Sequence, residues 1–356
     1  MKDPVPDPLS AGRLLVGALP GPELPGDQAN ALAELRPAGV ILFARNLRSP
    51  GQTADLIAGL REAAGTPLFV AVDQEGGRVN RLREIEPLFL RLPPGRVQAG
   101  WDAGRVRSVW AAVGHALAAL GFDVDFHPIV DLDDGPGLNA IGDRSFGLTP
   151  ARVTAVAEAV LDGLEEAGIA GCLKHFPGLG GTDLDTHVAL ATSPLSVHAL
   201  WDEHLLPYRS LAARSPIVMT AHAHYPSVDA DAPRPATFSR TLITGWLRGR
   251  IGFDGLVISD DLEMGAVASG AEPAERAWRA LEAGCDLALF CHGLDAPRRA
   301  RDEIARRMAL GDLPPDRVAG ALRRLDALFA RSPGGRDRPT GPRPFAAACE
   351  RLSALI

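Results

Sequence analysis

The chain has 356 residues, 46% hydrophobic and 23% charged, the balance of an ordinary folded domain. Its formal net charge of −7 argues against a nucleic-acid or anionic-membrane partner, which would recruit a basic surface. No apolar stretch approaches the roughly 20 residues that span a bilayer, and Met1–Pro8 carries prolines and acids where a secretion signal would have a cationic start. Cys172, Cys285, Cys291 and Cys349 form no C-x-x-C pair and lie mostly in apolar runs. They read as free thiols in a reducing compartment, so a cytoplasmic location is expected.

Short apolar runs alternate with amphipathic stretches along the chain. The expected strands are Leu14–Leu19, Val40–Phe43, Leu68–Val72, Val124–Ile129, Gly171–Phe176, Ile217–Ala221, Leu256–Ser259 and Leu287–Cys291. Most are apolar throughout, the pattern of parallel strands covered on both faces. The expected helices include Gln52–Ala64 stopped by Gly65, Ala151–Ala167 opened by Thr149-Pro150 and stopped by Gly168, Leu195–Ala213, Ala274–Ala283 and Asp316–Ala330. About eight strand–helix repeats favour a closed (β/α)8 barrel in a single domain, residues 1–335, over an open sheet. No G-x-G-x-x-G follows the first strand, so a nucleotide-binding sheet has no support. Ser332–Pro344 reads as a linker by composition, and 336–356 as a linker and short tail packing on the barrel.

In such a barrel the active site forms at the C-terminal strand ends, and here those ends are polar. The third runs into Asp73-Gln74-Glu75-Gly76-Gly77-Arg78. The fourth contains His127 and runs to Asp131. The fifth ends in Lys174-His175, the sixth in His222-Ala223-His224, the seventh in Asp260-Asp261 and the eighth in His292. After Lys174-His175 a glycine-rich loop leads to Asp185-Thr186-His187. A carboxylate two residues before a histidine can bond one ring nitrogen and leave the other for proton transfer. Asp260, delivered by an apolar strand, can serve as nucleophile, base or metal ligand. Trp101, Trp110, Trp201, Trp246 and Trp278 sit mostly in helical patterns and read as packing.

Lys174–Gly178 with Asp185-Thr186-His187, Asp73–Arg78, Gly142–Phe146, Ser259-Asp260-Asp261, Gly39–Asn46 and Met219–His222 together resemble the β-N-acetylhexosaminidases of glycoside hydrolase family 3, in order from about residue 12 to 330. The resemblance implies a (β/α)8 barrel, no cofactor and no metal. It implies that Asp260 is the nucleophile and that His187, oriented by Asp185, is the acid/base. It also implies that Asp73, Arg81, Arg144, Lys174 and His175 hold the sugar hydroxyls, and His222 reads as a further pocket-wall, substrate-binding residue. The family's β-glucosidases usually take a glutamate acid/base from a second domain, which this chain is too short to hold. Single-domain bacterial members remove N-acetylglucosamine from anhydro-muramic acid fragments in cell-wall recycling. The partner implied is therefore a small muropeptide, with the enzyme a monomer or weak oligomer. One departure stands out: the loop usually reads Pro-Gly-His-Gly, and Leu179 replaces that histidine, which bears on the loop's resting position and the choice of aglycone.

Retaining hydrolysis needs a nucleophile below the anomeric carbon and an acid near the leaving oxygen. A histidine titrates near neutral pH and can serve both half-reactions. It also repels anions less than a carboxylate would, which keeps a phosphorylase open as the alternative. A metal-dependent barrel hydrolase is a second alternative, with His222, His224, Asp260 and His175 as ligands. Against it, such hydrolases carry His-x-His on the first strand, and here it follows the sixth.

Overall fold

Eight short strands run parallel around a common axis in a computed structural model that describes residues 8–133, 141–182, 184, 186, 189–231, 233–268, 271–331 and 339–356. They are β1 Leu15–Ala18, β2 Gly39–Leu42, β3 Phe69–Val72, β4 Val124–Asp125, β5 Cys172–Phe176, β6 Ile217–Thr220, β7 Leu256–Asp261 and β8 Leu287–Leu289. Sequence neighbours pair from β1 through β4 and from β5 through β8, and β1 also pairs with β8. Single bridges from Val124 to Ala170 and from Ile129 to Lys174 join β4 to β5 and complete the ring. This is the (β/α)8 barrel expected from the apolar strand pattern.

The reason those strands lack alternation is visible in their packing. Val16, Ile41, Ala71, Cys172, Met219, Ile258 and Leu289 share one interior cluster. Their neighbours Leu15, Val40, Val70, Leu173, Val218, Val257 and Ala288 pack outward against the helices. Both faces are buried, so both must be apolar. Volumes are matched across the interior: the Phe69 ring occupies the space where a Cβ on Gly39 would sit, 2.3 Å away. Leu325 and Leu328, from helix Pro315–Arg331, belong to the same interior cluster. Arg324 of that helix bonds Asp254 and Asp286, just before β7 and β8, so the helix closes the N-terminal end of the barrel.

Most expected elements lie within a residue or two of their places. Ser49 caps helix Pro50–Ala64 by accepting the Gln52 N–H, and Gly65 ends it in the left-handed region. Thr149 stands at the N-cap of helix Pro150–Glu166 without a side-chain cap bond. Two expectations need correction. The fourth strand is only Val124–Asp125 with the later bridge at Ile129, because Pro128 has no N–H to give a ladder. The span 195–213 is not one helix: it opens at Val197, widens to a π-helical turn over Leu200–His204 and resumes at Leu206–Leu211. Pro207 lacks the N–H that would continue the regular ladder. The tail forms helix Pro342–Ser353, whose Phe345 stacks on Phe89, with ring centroids 6.4 Å apart.

Candidate active site

A cavity of about 510 Å3 opens at the C-terminal ends of the strands. Asp73, Arg81, Arg144, Lys174, His175 and Asp260 all line it, so six of the residues singled out in the sequence converge there.

The first group is built on β3 and β5. After β3 the chain turns through a small hairpin, Gln74–Gly76 against Val79–Asn80. Buried Gln74 fixes that turn: its amide nitrogen donates to Asn80 Oδ1 at 2.9 Å, and its oxygen accepts the N–H of Arg81 at 2.9 Å and of Leu82 at 3.1 Å. Glu75 is thereby turned inward. Lys174 Nζ lies 2.7 Å from Asp73 Oδ1 and 2.7 Å from Glu75 Oε1. Arg144 holds Glu75 through two bonds of 2.9 Å each, the fork geometry that suits a guanidinium. Burial alone would raise the Glu75 carboxyl, but Arg144 and Lys174 outweigh it and hold Glu75 well below the ordinary carboxylate range. Lys174 is raised in turn, because Asp73 and Glu75 overcome its own desolvation. Two carboxylates and two cations thus balance on one wall.

The second group joins the ends of β4 and β5. Asp131 is fully buried and accepts His175 Nδ1 at 2.7 Å, the His175 N–H at 3.2 Å and the Leu179 N–H at 2.8 Å. With Nδ1 held by Asp131, Nε2 is the ring nitrogen of this cavity-lining histidine that Asp131 does not engage. Leu179 itself is 4% exposed, so the side chain that departs from the usual loop is packed inward. Tyr225 donates its hydroxyl to Gly178 O at 2.6 Å, which fixes the root of the loop. Asp185 and His187 lie outside the described residues.

The third group is the end of β7. Between Ile258 and Asp261 the register against β8 shifts, and three steps on β7 face two on β8. Such a bulge re-aims a side chain. Ser259 Oγ accepts the Leu289 N–H at 2.9 Å across it, and the Asp261 N–H donates to Asp260 Oδ1 at 2.8 Å. Beside it, burial raises the Asp261 carboxyl to about 6, with Asp260 and Glu263 adding to the shift.

Residues 16–328 match the N-terminal domain of glycosyl hydrolase family 3. The chain belongs to this family. It is 41% identical over 293 residues to a β-hexosaminidase of Alkalilimnicola ehrlichii, covering 80% of this chain and 82% of that one. A family 3 β-N-acetylglucosaminidase from a Paenibacillus species superposes with a TM-score of 0.89 at 33% identity, over 99% of this chain and 69% of that one. NagZ from Neisseria gonorrhoeae, solved with N-trifluoroacetyl-D-glucosamine, gives 0.75 at 30% identity, over 97% and 98%.

Within this glycoside hydrolase, one residue expected at the pocket wall is elsewhere. His222 is fully buried and does not line the cavity; its Nδ1 lies 2.8 Å from Thr237 Oγ1 and its Nε2 2.9 Å from Asp261 O. Both ring nitrogens are engaged, so it can neither bind sugar nor pair with His224 as a metal ligand. His224 Nδ1 accepts the Arg234 N–H at 3.4 Å instead. Among the described residues, the group with metal-ligand spacing is Asp261, Glu263 and His292. Its carboxylates already accept the backbone N–H groups of Glu263, Cys291 and His292. None of the five tryptophans lines the cavity; Phe43 does, with Arg45 and Arg81 against its ring.

Sequence reasoning did not single out Glu75, Asp131, Arg45, Asp261 or Glu263 as site residues. Glu75 and Asp131 had a readable signal. Each is an acid at a polar strand end, and two buried cations on one wall demand more negative charge than Asp73 alone.

Proposed function

We propose that the protein is a retaining β-N-acetylglucosaminidase that removes terminal N-acetylglucosamine from small muropeptides in the cytoplasm. The observation that carries the reading is the convergence of Asp260 with Asp73, Arg81, Arg144, Lys174 and His175 on one cavity of about 510 Å3. A volume of that order suits a single pyranose with part of its aglycone. The relatives' β-hexosaminidase names and the N-trifluoroacetyl-D-glucosamine complex of NagZ support a 2-acetamido sugar. The muropeptide aglycone rests on the resemblance to single-domain bacterial members. The cytoplasmic location rests on the free cysteines, three of them buried.

In the first half-reaction a carboxylate oxygen of Asp260 attacks the anomeric carbon as the glycosidic C–O bond breaks, and His187 gives its proton to the leaving oxygen. In the second, His187 takes a proton from water as it attacks the same carbon and frees Asp260. Lys174, Asp73 and Arg144 hold hydroxyls from a wall whose charges are already balanced, so the pocket favours a neutral sugar ring over a free anion. Each polar group on that wall keeps a fixed partner before substrate arrives, which limits reorganisation on binding.

Proton NMR of p-nitrophenyl β-N-acetylglucosaminide turnover, with and without phosphate, tests the reading. It predicts β-configured free N-acetylglucosamine as the first product in both. N-acetylglucosamine 1-phosphate would make the enzyme a phosphorylase, and the absence of sugar release would end the proposal.

A further inference from the structure

Among the described residues of the expected set, His222 is the one that the cavity does not contain, yet it sits against the strand end that carries Asp260. We infer that His222 is a positioning residue for the nucleophile: as a neutral imidazole locked in one tautomer, it clamps the bulge of β7 from behind and aims the Asp260 carboxylate. This inference rests on the reading of Asp260 as nucleophile.

The bulge creates the need. Its extra residue interrupts the regular ladder to β8, so side chains must hold the backbone there. Ser259 Oγ supplies one substitute by accepting the Leu289 N–H. His222 Nε2 supplies another at Asp261 O, 2.9 Å away. Asp261 is the residue whose own N–H holds Asp260 Oδ1. Imidazole, Asp261 backbone and Asp260 carboxylate therefore form one continuous chain of contacts.

The tautomer follows from hydrogen-bond accounting. A carbonyl oxygen only accepts, so Nε2 carries the proton. In a neutral ring Nδ1 must then accept, and the Thr237 hydroxyl at 2.8 Å donates to it. Ala221 O also lies 3.0 Å from that hydroxyl, but it accepts the Thr237 backbone N–H at 3.2 Å and does not need the hydroxyl proton. Thr237 Oγ1 accepts in turn from Thr220 Oγ1 at 2.8 Å. All three side chains are fully buried. Burial lowers the His222 pKa against the opposing charge of Asp260, so the ring stays neutral at working pH. A Thr220–Thr237–His222 relay thus ends in one N–H aimed at the nucleophile's own turn.

The test uses a 5-fluoro N-acetylglucosaminyl fluoride. Asp260 forms a bond to the anomeric carbon while the C–F bond breaks, and fluoride leaves with the electron pair. No proton donor is needed, so the inactivation rate reports nucleophilic attack without His187. His222→Ala is expected to slow inactivation about 10–100-fold, the scale of a misplaced reacting group, while the inhibition constant for free N-acetylglucosamine stays within about twofold, because His222 does not touch the cavity. His222→Gln places an amide N–H where Nε2–H stood and is expected to recover most of the rate. Thr237→Val removes the donor to Nδ1 and is expected to fall between them. If His222→Ala does not fold, the glutamine and valine variants still decide. Attack rates equal to wild type in His222→Ala or Thr237→Val would overturn the inference. So would a glutamine variant that folds but is as slow as alanine, or weakened N-acetylglucosamine binding in step with the rate. Peptide mapping of the labelled wild type separates the two levels: a label away from Asp260 defeats the nucleophile reading itself.

Discussion

Replacing Glu75 by glutamine removes one of two negative charges that balance Lys174 and Arg144 in a wall where Glu75 is 3% exposed. Breaking a buried ion pair by removing one partner costs about 3–5 kcal/mol, because the other partner is left desolvated and uncompensated. Unfolding entropy is about 2.1 cal/mol/K per residue, which for 356 residues comes to about 0.75 kcal/mol per kelvin. The melting temperature should therefore fall by about 4–7 °C at neutral pH. The pH dependence carries a sign. Glu75 is held below its unfolded value near 4.5, so its stabilisation is full above that value and is lost as pH falls through the lower folded value. The variant should show a shallower acid limb than wild type. Arg144→Met added to Glu75→Gln should recover part of the loss by removing one of the two cations that Glu75 balanced. Scanning calorimetry between pH 3 and 7 reads all three. A Glu75→Gln melting point within about 1 °C of wild type would mean that Glu75 does not balance the two cations, since a buried charge of this kind is worth several times that shift.

Other perturbations follow from the same geometry. Asp131→Asn swaps an acceptor of three N–H groups for a side chain with one acceptor atom; KM should rise about tenfold as His175 loosens, and unchanged steady-state kinetics would contradict it. Asp261, raised to about 6 from 3.8, costs stability on ionising, so stability declines from about pH 4 to 6. Asp261→Asn should flatten that window in urea titrations, and an unchanged slope would count against the assignment. Gly76 has φ +95°, and a Cβ there would meet Pro93 O at 2.4 Å. Gly76→Ala should lower stability by about 1–3 kcal/mol and reduce kcat/KM with it, because the same hairpin presents Glu75. Normal activity in that variant would show that the hairpin is not critical.

The barrel was legible because parallel strands buried on both faces leave continuous apolar runs, and because capping signals such as Ser49 and Gly65 are local. Most of the rim was legible for the same reason, since polar residues at the ends of apolar strands have one place to go. What failed was whatever depends on distant partners. Lys174 and Asp73 are 101 positions apart, and only the fold shows that Glu75 stands between Lys174 and Arg144. His222 was misplaced because β6 ends at Thr220, and past a strand end the side-chain alternation no longer says which way a residue faces. The bulge that turns Asp260 inward has no signature in Leu256–Asp261 beyond Ser259, whose hydroxyl replaces a backbone acceptor. The π-helical turn after β5 was hidden in an otherwise helical pattern, with Pro207 its one local mark.

In the proposed reaction Asp260 is the carboxylate that forms the covalent intermediate. The most direct test of this role is azide rescue of Asp260→Gly with p-nitrophenyl β-N-acetylglucosaminide. With the carboxylate gone, azide can enter the space below the anomeric carbon and attack with a single inversion. The variant is expected to be nearly inactive alone, azide to restore p-nitrophenol release, and the product to be the α-glycosyl azide. A β-glycosyl azide, or a variant that turns over without azide, would contradict it.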